Sequence, residues 1–133
     1  MKHLNLNPIV KTVLATALVA VCNLAAALEI KPFSQNELGA LQGQGKPVTV
    51  HFHADWCPTC VSQAKSLEAL KSDPDLKSMT VLVADYDKEK ELRKTMKVRS
   101  QSVMVVYKGN QEITRVPGQT QAGEIKAALV KAL

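Results

Sequence analysis

Apolar and polar residues alternate along Val48–His53. Val48, Val50 and Phe52 fall on one face and Thr49, His51 and His53 on the other, which predicts a strand opened by Lys46-Pro47. From Pro58 the spacing lengthens to that of a helix, with Val61, Ala64, Leu67 and Leu70 forming an apolar stripe. Pro58 suits the first turn, where its missing N–H leaves no hydrogen bond unmade, and Asp73-Pro74 closes the segment. Ahead of the strand, Ser34-Gln35-Asn36-Glu37 has the form of a capping box, opening a short helix that ends near Gly43 or Gly45. Beyond Pro74 the pattern predicts a strand over Met79–Ala84, a charged helix over Lys88–Met96 and a β-branched strand over Val103–Tyr107. Gly109-Asn110 then turns the chain into a hairpin partner, Glu112–Val116. Thr120 is placed to cap a last amphipathic helix carrying Ile125, Leu129 and Leu133.

Strands separated by helices require parallel crossovers, and the closing hairpin adds an antiparallel edge. The expected class is therefore α/β: a mixed central sheet with helices on both faces.

The first 27 residues read differently. Lys2 and Lys11 give a basic start, Thr12–Val21 holds only apolar residues and threonines, and Ala25-Ala26-Ala27 offers a small-residue cleavage site. This is the pattern of a signal peptide cleaved after Ala27. The apolar run is shorter than the roughly 20 residues that span a bilayer, which disfavours a retained anchor. A lipid-modified Cys22 is disfavoured as well, because bulky Val21 stands where a lipoprotein signal wants a small residue. Leu28–Leu133 remains as one domain, with no linker or repeat dividing it.

Charge narrows the range of functions. The formal net charge is +5, but both lysines of the signal segment contribute to it. The remaining bases are interspersed with acids, as in Lys88-Glu89-Lys90-Glu91, which describes a solvated face and gives no support to nucleic-acid binding. Export would deliver the domain to an oxidising space, the periplasm, where unprotected thiols pair. With Cys22 removed, only Cys57 and Cys60 are left. They close too small a loop for a disulfide between them to stabilise much structure. At the start of a helix, however, residues three apart lie on one face with their sulfurs in bonding reach, so the pair can cycle between dithiol and disulfide.

The run Ala54-Asp55-Trp56-Cys57-Pro58-Thr59-Cys60, the order of elements and the Tyr107-Lys108-Gly109 turn resemble the thioredoxin family over essentially the whole of Leu28–Leu133. The resemblance implies a three-layer thioredoxin-like sandwich and thiol–disulfide oxidoreductase activity on cysteines of other exported proteins. It implies no bound cofactor. It also implies a membrane-embedded electron donor, with reduction somewhat favoured over oxidation, and the absence of any further domain suggests a monomer. Cys57, where strand hands over to helix, meets the positive end of the helix dipole and is the expected nucleophile, with Cys60 as the more buried resolving thiol. Trp56 offers a flat apolar surface to a partner polypeptide, whereas Asp55 reads equally well as a solvated turn residue.

Two positions depart from the family pattern. Relatives often carry a buried acid where this chain has His51, which would accept a proton from Cys60 or else simply pack as a neutral histidine. Where the family usually has a cis-proline facing the dithiol, Ser102 stands here. Its peptide is expected to be trans, and the residue to border the substrate groove and bring a hydroxyl near Cys57. A second reading of the same cluster is copper or zinc binding by Cys57, Cys60 and His51 or His53. Against it, zinc sites built on Cys-x-x-Cys normally need a second ligand pair, which the chain lacks.

Overall fold

The computed structural model describes residues 27–133. The expected signal segment, including Cys22, lies outside the described residues except for Ala27. In chain order the elements are β1 (Glu29–Pro32), α1 (Gln35–Gly43), β2 (Pro47–His53), α2 (Pro58–Ala69), β3 (Thr80–Asp85), α3 (Lys90–Thr95), β4 (Val103–Lys108), β5 (Gln111–Pro117) and α4 (Ala122–Leu129). Single turns of 3-10 helix follow α2 and α4, at Pro74–Leu76 and Val130–Ala132.

The sheet runs β1-β3-β2-β4-β5. β3 is parallel to both β1 and β2, while β4 is antiparallel to β2 and β5. This is the mixed sheet expected from the sequence, with β2 at its centre. The alternation in β2 now has a physical account: the strand is covered on both faces, so each half of the pattern feeds a different core. Val48, Val50 and Phe52 pack with Leu38 of α1 and Leu92 of α3, alongside Leu82, Val105 and Tyr107. On the opposite face Leu67 of α2 and Ile125 and Leu129 of α4 pack over Val81, Met104, Val106 and Val116. Each such fully buried aliphatic side chain contributes about 1.5–3 kcal/mol. Thr49 and His51 point into this second layer and are buried with it.

Four local expectations need correction. β1 was not foreseen, because a four-residue edge segment, Glu-Ile-Lys-Pro, is too short for its alternation to register; it pairs from Glu29 with Thr80 to Pro32 with Val83. The charged helix is confined to Lys90–Thr95, because Asp85 accepts the backbone N–H groups of Asp87 and Lys88 and holds the preceding residues in a turn. Thr120 does not cap α4, whose N-cap is Gln121 without a side-chain hydrogen bond. On α2 the inward stripe is Cys60, Gln63, Leu67 and Leu70 rather than one beginning at Val61, which is exposed. The Ser34 cap of α1 forms as expected, its hydroxyl accepting from the Glu37 N–H.

Candidate active site

β2 ends at His53, and the chain reverses through Ala54-Asp55-Trp56, closed by the Cys57 N–H donating to Ala54 O at 3.1 Å. Cys57 is therefore the N-cap of α2. Its sulfur takes the place of the usual capping oxygen and accepts the Cys60 backbone N–H at 3.2 Å, with Pro58 occupying the first turn. Cys60, one turn on, is fully buried. Both cysteines are free thiols.

Ser102 lies opposite, in the segment leading into β4, and its Oγ is 3.1 Å from the sulfur of Cys57 and 3.1 Å from that of Cys60. The described residues contain no cis peptide bond, in keeping with the expectation for Ser102. Ser102 does, however, adopt a left-handed backbone, with φ of 64°. That conformation is costly for a residue bearing a Cβ and persists only when its surroundings fix it. Here three hydrogen bonds do so: Ser102 N–H to Phe52 O at 3.0 Å, and to Ser102 O from Gly118 N–H at 2.9 Å and from Gln63 Nε2 at 3.0 Å.

The two thiols are driven apart. Burial pushes the Cys57 thiol up, but hydrogen bonds from the Cys60 side chain, the Ser102 hydroxyl, the Cys60 backbone N–H and Gln101 outweigh it and leave the thiol below its ordinary value. Burial also pushes Cys60 up; the hydrogen bond with Cys57 adds to this, and the net shift is upward. The arrangement thus favours the thiolate at the helix cap over ionisation of the thiol behind it, the order that dithiol exchange requires.

Gln63 is the residue that pattern reading missed. Fully buried on α2, it donates from Nε2 to Ser102 O and to Gln119 O, each at 3.0 Å, and its Oε1 faces His51 Nε2 at 3.0 Å. Because the amide nitrogen is committed to two carbonyls, Oε1 must accept, so the His51 proton sits on Nε2 and its buried Nδ1 is left without a partner. The available signal was a polar residue at helical spacing between Cys60 and Leu67, inside an otherwise apolar stripe.

The geometry does not support a direct exchange of protons between His51 and Cys60. Among the described residues no hydrogen bond joins His51 to either sulfur; its link to the dithiol runs through Gln63 and the Ser102 backbone. Burial lowers its pKa to about 4, against a smaller upward contribution from Gln63, so the ring is neutral near pH 7 and a weak base. His53 stands edge-on to it, ring centroids 5.5 Å apart, and pairs through Nε2 with the exposed Asp55 carboxylate at 3.0 Å. Nor are the histidines brought to the sulfurs as a ligand set: among the described residues no three His, Cys, Asp or Glu side chains are grouped to hold a metal ion.

Trp56 forms the outer rim, 61% exposed, its indole N–H donating to Asp87 Oδ2 at 2.7 Å. Tyr86 packs against the Ala54, Cys57 and Cys60 cluster from β3's end and donates its hydroxyl to Arg99 O at 3.0 Å.

Comparison with known proteins agrees with this geometry. The family model described as Thioredoxin matches residues 31–131. A thioredoxin-like protein of Synechocystis, slr0233, is 30% identical over 98 residues, covering 74% of this chain and 92% of that protein. The bifunctional thioredoxin reductase/thioredoxin of Mycobacterium leprae is 29% identical over 119 residues, but the match spans only 24% of that larger protein. Among solved structures, Trxlp from Edwardsiella tarda superposes with a TM-score of 0.72 at 30% identity, covering 76% of this chain and 98% of that one. Matches of this extent place the chain in the thioredoxin family, as a thiol–disulfide oxidoreductase.

Proposed function

We propose that this enzyme works in the periplasm, as a monomer, reducing disulfides of other exported proteins, with Cys57 as attacking sulfur and Cys60 as resolving sulfur. The observation that carries the assignment is the inequality of the two thiols. Cys57 caps α2 and accepts hydrogen bonds that favour its thiolate, whereas Cys60 is sealed behind it. In the forward direction the Cys57 thiolate attacks a substrate disulfide, releasing one substrate sulfur and forming a mixed disulfide. Cys60 then attacks Cys57, the second substrate sulfur leaves as a thiol, and the protein is left with a Cys57–Cys60 disulfide. A membrane-embedded dithiol donor returns the two electrons. The exposed ring of Trp56 supplies apolar contact to the partner chain, and Ser102 borders the same groove. Export is supported by the basic start, apolar run and Ala25-Ala26-Ala27 of the first 27 residues.

The test joins trapping, potential and location. Cys60→Ser should accumulate mixed disulfides with exported proteins, and Cys57→Ser should form none. The reduction potential should lie closer to the roughly −270 mV of thioredoxin than to the −120 mV or so of a dedicated oxidant. The periplasmic fraction should contain a chain beginning at Leu28. A strongly oxidising potential would reverse the direction proposed, and a chain retained uncleaved in the cytoplasm would refute the location.

A further inference from the structure

A hydroxyl has one hydrogen to give and two lone pairs to receive with. The Ser102 hydroxyl lies within 3.1 Å of both reacting sulfurs, so it can accept from one while donating to the other. With Cys60 as thiol and Cys57 as thiolate, one assignment of hydrogens satisfies all three groups: Cys60 S–H donates to Ser102 Oγ, and Ser102 O–H donates to the Cys57 sulfur. Of the other acceptors open to the Cys60 thiol, the Cys57 sulfur is bonded to substrate at the resolution step and so is no longer a thiolate, and Phe52 O is 4.0 Å away. The strained backbone of Ser102, pinned by Phe52, Gly118 and Gln63, holds the oxygen between the sulfurs.

We propose that Ser102 is a catalytic residue that relays the Cys60 proton during resolution of the mixed disulfide. Cys60 Sγ forms its bond to Cys57 Sγ, and the bond from Cys57 to the substrate sulfur breaks with its electron pair on that sulfur. The Cys60 proton passes to Ser102 Oγ, and the proton already on Ser102 passes by way of water to the departing substrate sulfur, which leaves in line on the far side of Cys57. Ser102 ends as it began, a neutral hydroxyl. The dithiol is oxidised by two electrons and the substrate disulfide is reduced by two.

The surrounding groups leave this path without a competitor. From α2's own start the titratable neighbour of Cys60 is Cys57. On β2, His51 is bonded to Gln63, and at the end of β3 the Tyr86 hydroxyl is committed to Arg99 O. Asp55 pairs with His53, Asp87 holds Trp56, and Asp85 holds the turn beyond β3 and pairs with Lys88.

The inference rests on the dithiol-exchange reading and is tested by following resolution as its own step. Reduced protein is mixed with oxidised glutathione, quenched in acid at intervals and weighed by mass spectrometry, which separates formation of the Cys57–glutathione disulfide from its resolution by Cys60. Ser102→Ala and Ser102→Gly both remove the hydroxyl, and glycine also accepts the φ of 64° without strain. At pH 6 both variants should resolve at least about tenfold more slowly than wild type. The deficit should shrink as pH rises, because solvent deprotonates Cys60 directly, and the wild-type phase should vary far less with pH. In mixtures of light and heavy water the wild-type resolution rate should follow a curved, two-proton dependence, a readout that needs no variant. Resolution in folded variants within twofold of wild type across pH 6–9, or a linear one-proton dependence, overturns the relay. A wild type that never closes the Cys57–Cys60 disulfide would instead overturn the exchange reading on which the relay rests.

Discussion

Replacing Gln63 by leucine should destabilise the domain by about 1–3 kcal/mol, and the cost can be assigned almost entirely to one orphaned group. Of the three hydrogen bonds Gln63 makes, the one to Gln119 O is at an exposed residue, where water can replace it. Ser102 O retains the Gly118 N–H. The His51 Nε2–H has no second partner, and at 1% exposure no solvent reaches it, so its full desolvation penalty is incurred. His51→Leu alone strands the Gln63 Oε1 in the same way. The double variant removes both polar groups and should cost less than the sum of the singles by about 1–2 kcal/mol. Urea unfolding of the four proteins measures this cycle: the midpoint should fall in each single variant with the slope unchanged. Strict additivity, or a Gln63→Leu midpoint indistinguishable from wild type, would refute the claim that the buried His51–Gln63 pair is a coupled unit.

Stability should also fall in acid. His51 has a folded pKa of about 4 against an ordinary 6.5, so the unfolded chain takes up the proton first. The neutral ring's contribution is complete above pH 6.5 and is lost towards pH 4, by up to about 3 kcal/mol; His51→Leu should flatten that limb of the curve measured by thermal melts. Limiting iodoacetamide at pH 7 should alkylate Cys57 well before Cys60, as read by peptide mass mapping, since one thiol is shifted down and the other up. Equal labelling would contradict the assigned order. Gly109→Ala should destabilise by about 1 kcal/mol or more, because Gly109 has φ of 55° and an added Cβ would lie 3.2 Å from Gly45 Cα.

What the sequence disclosed follows from the reach of each signal. β2 was legible from its alternation and β4 from its β-branched apolar run, and the helix start at Cys57-Pro58 because proline and the motif mark it locally. β1 was not, since its four residues gain their identity from pairing with β3, fifty residues away in the chain, and not from their own pattern. Ser102 was found because the resemblance supplied a position to compare, and the hydroxyl expected near Cys57 is there. That it also meets Cys60 depends on the left-handed turn, which no local rule for serine predicts. Gln63 was hidden because its three partners come from β2, the approach to β4 and the loop before α4, segments that only the folded sheet brings together. His51 was recognised as buried, but its partner, and therefore its tautomer, was not.

Trp56 is the chain's single tryptophan, 61% exposed and one residue from the attacking cysteine. All indole emission therefore originates at the rim of the dithiol. The protein carries a built-in optical reporter: a docked partner that covers the ring must shift the emission to the blue, and the complex can be followed in real time with no label attached.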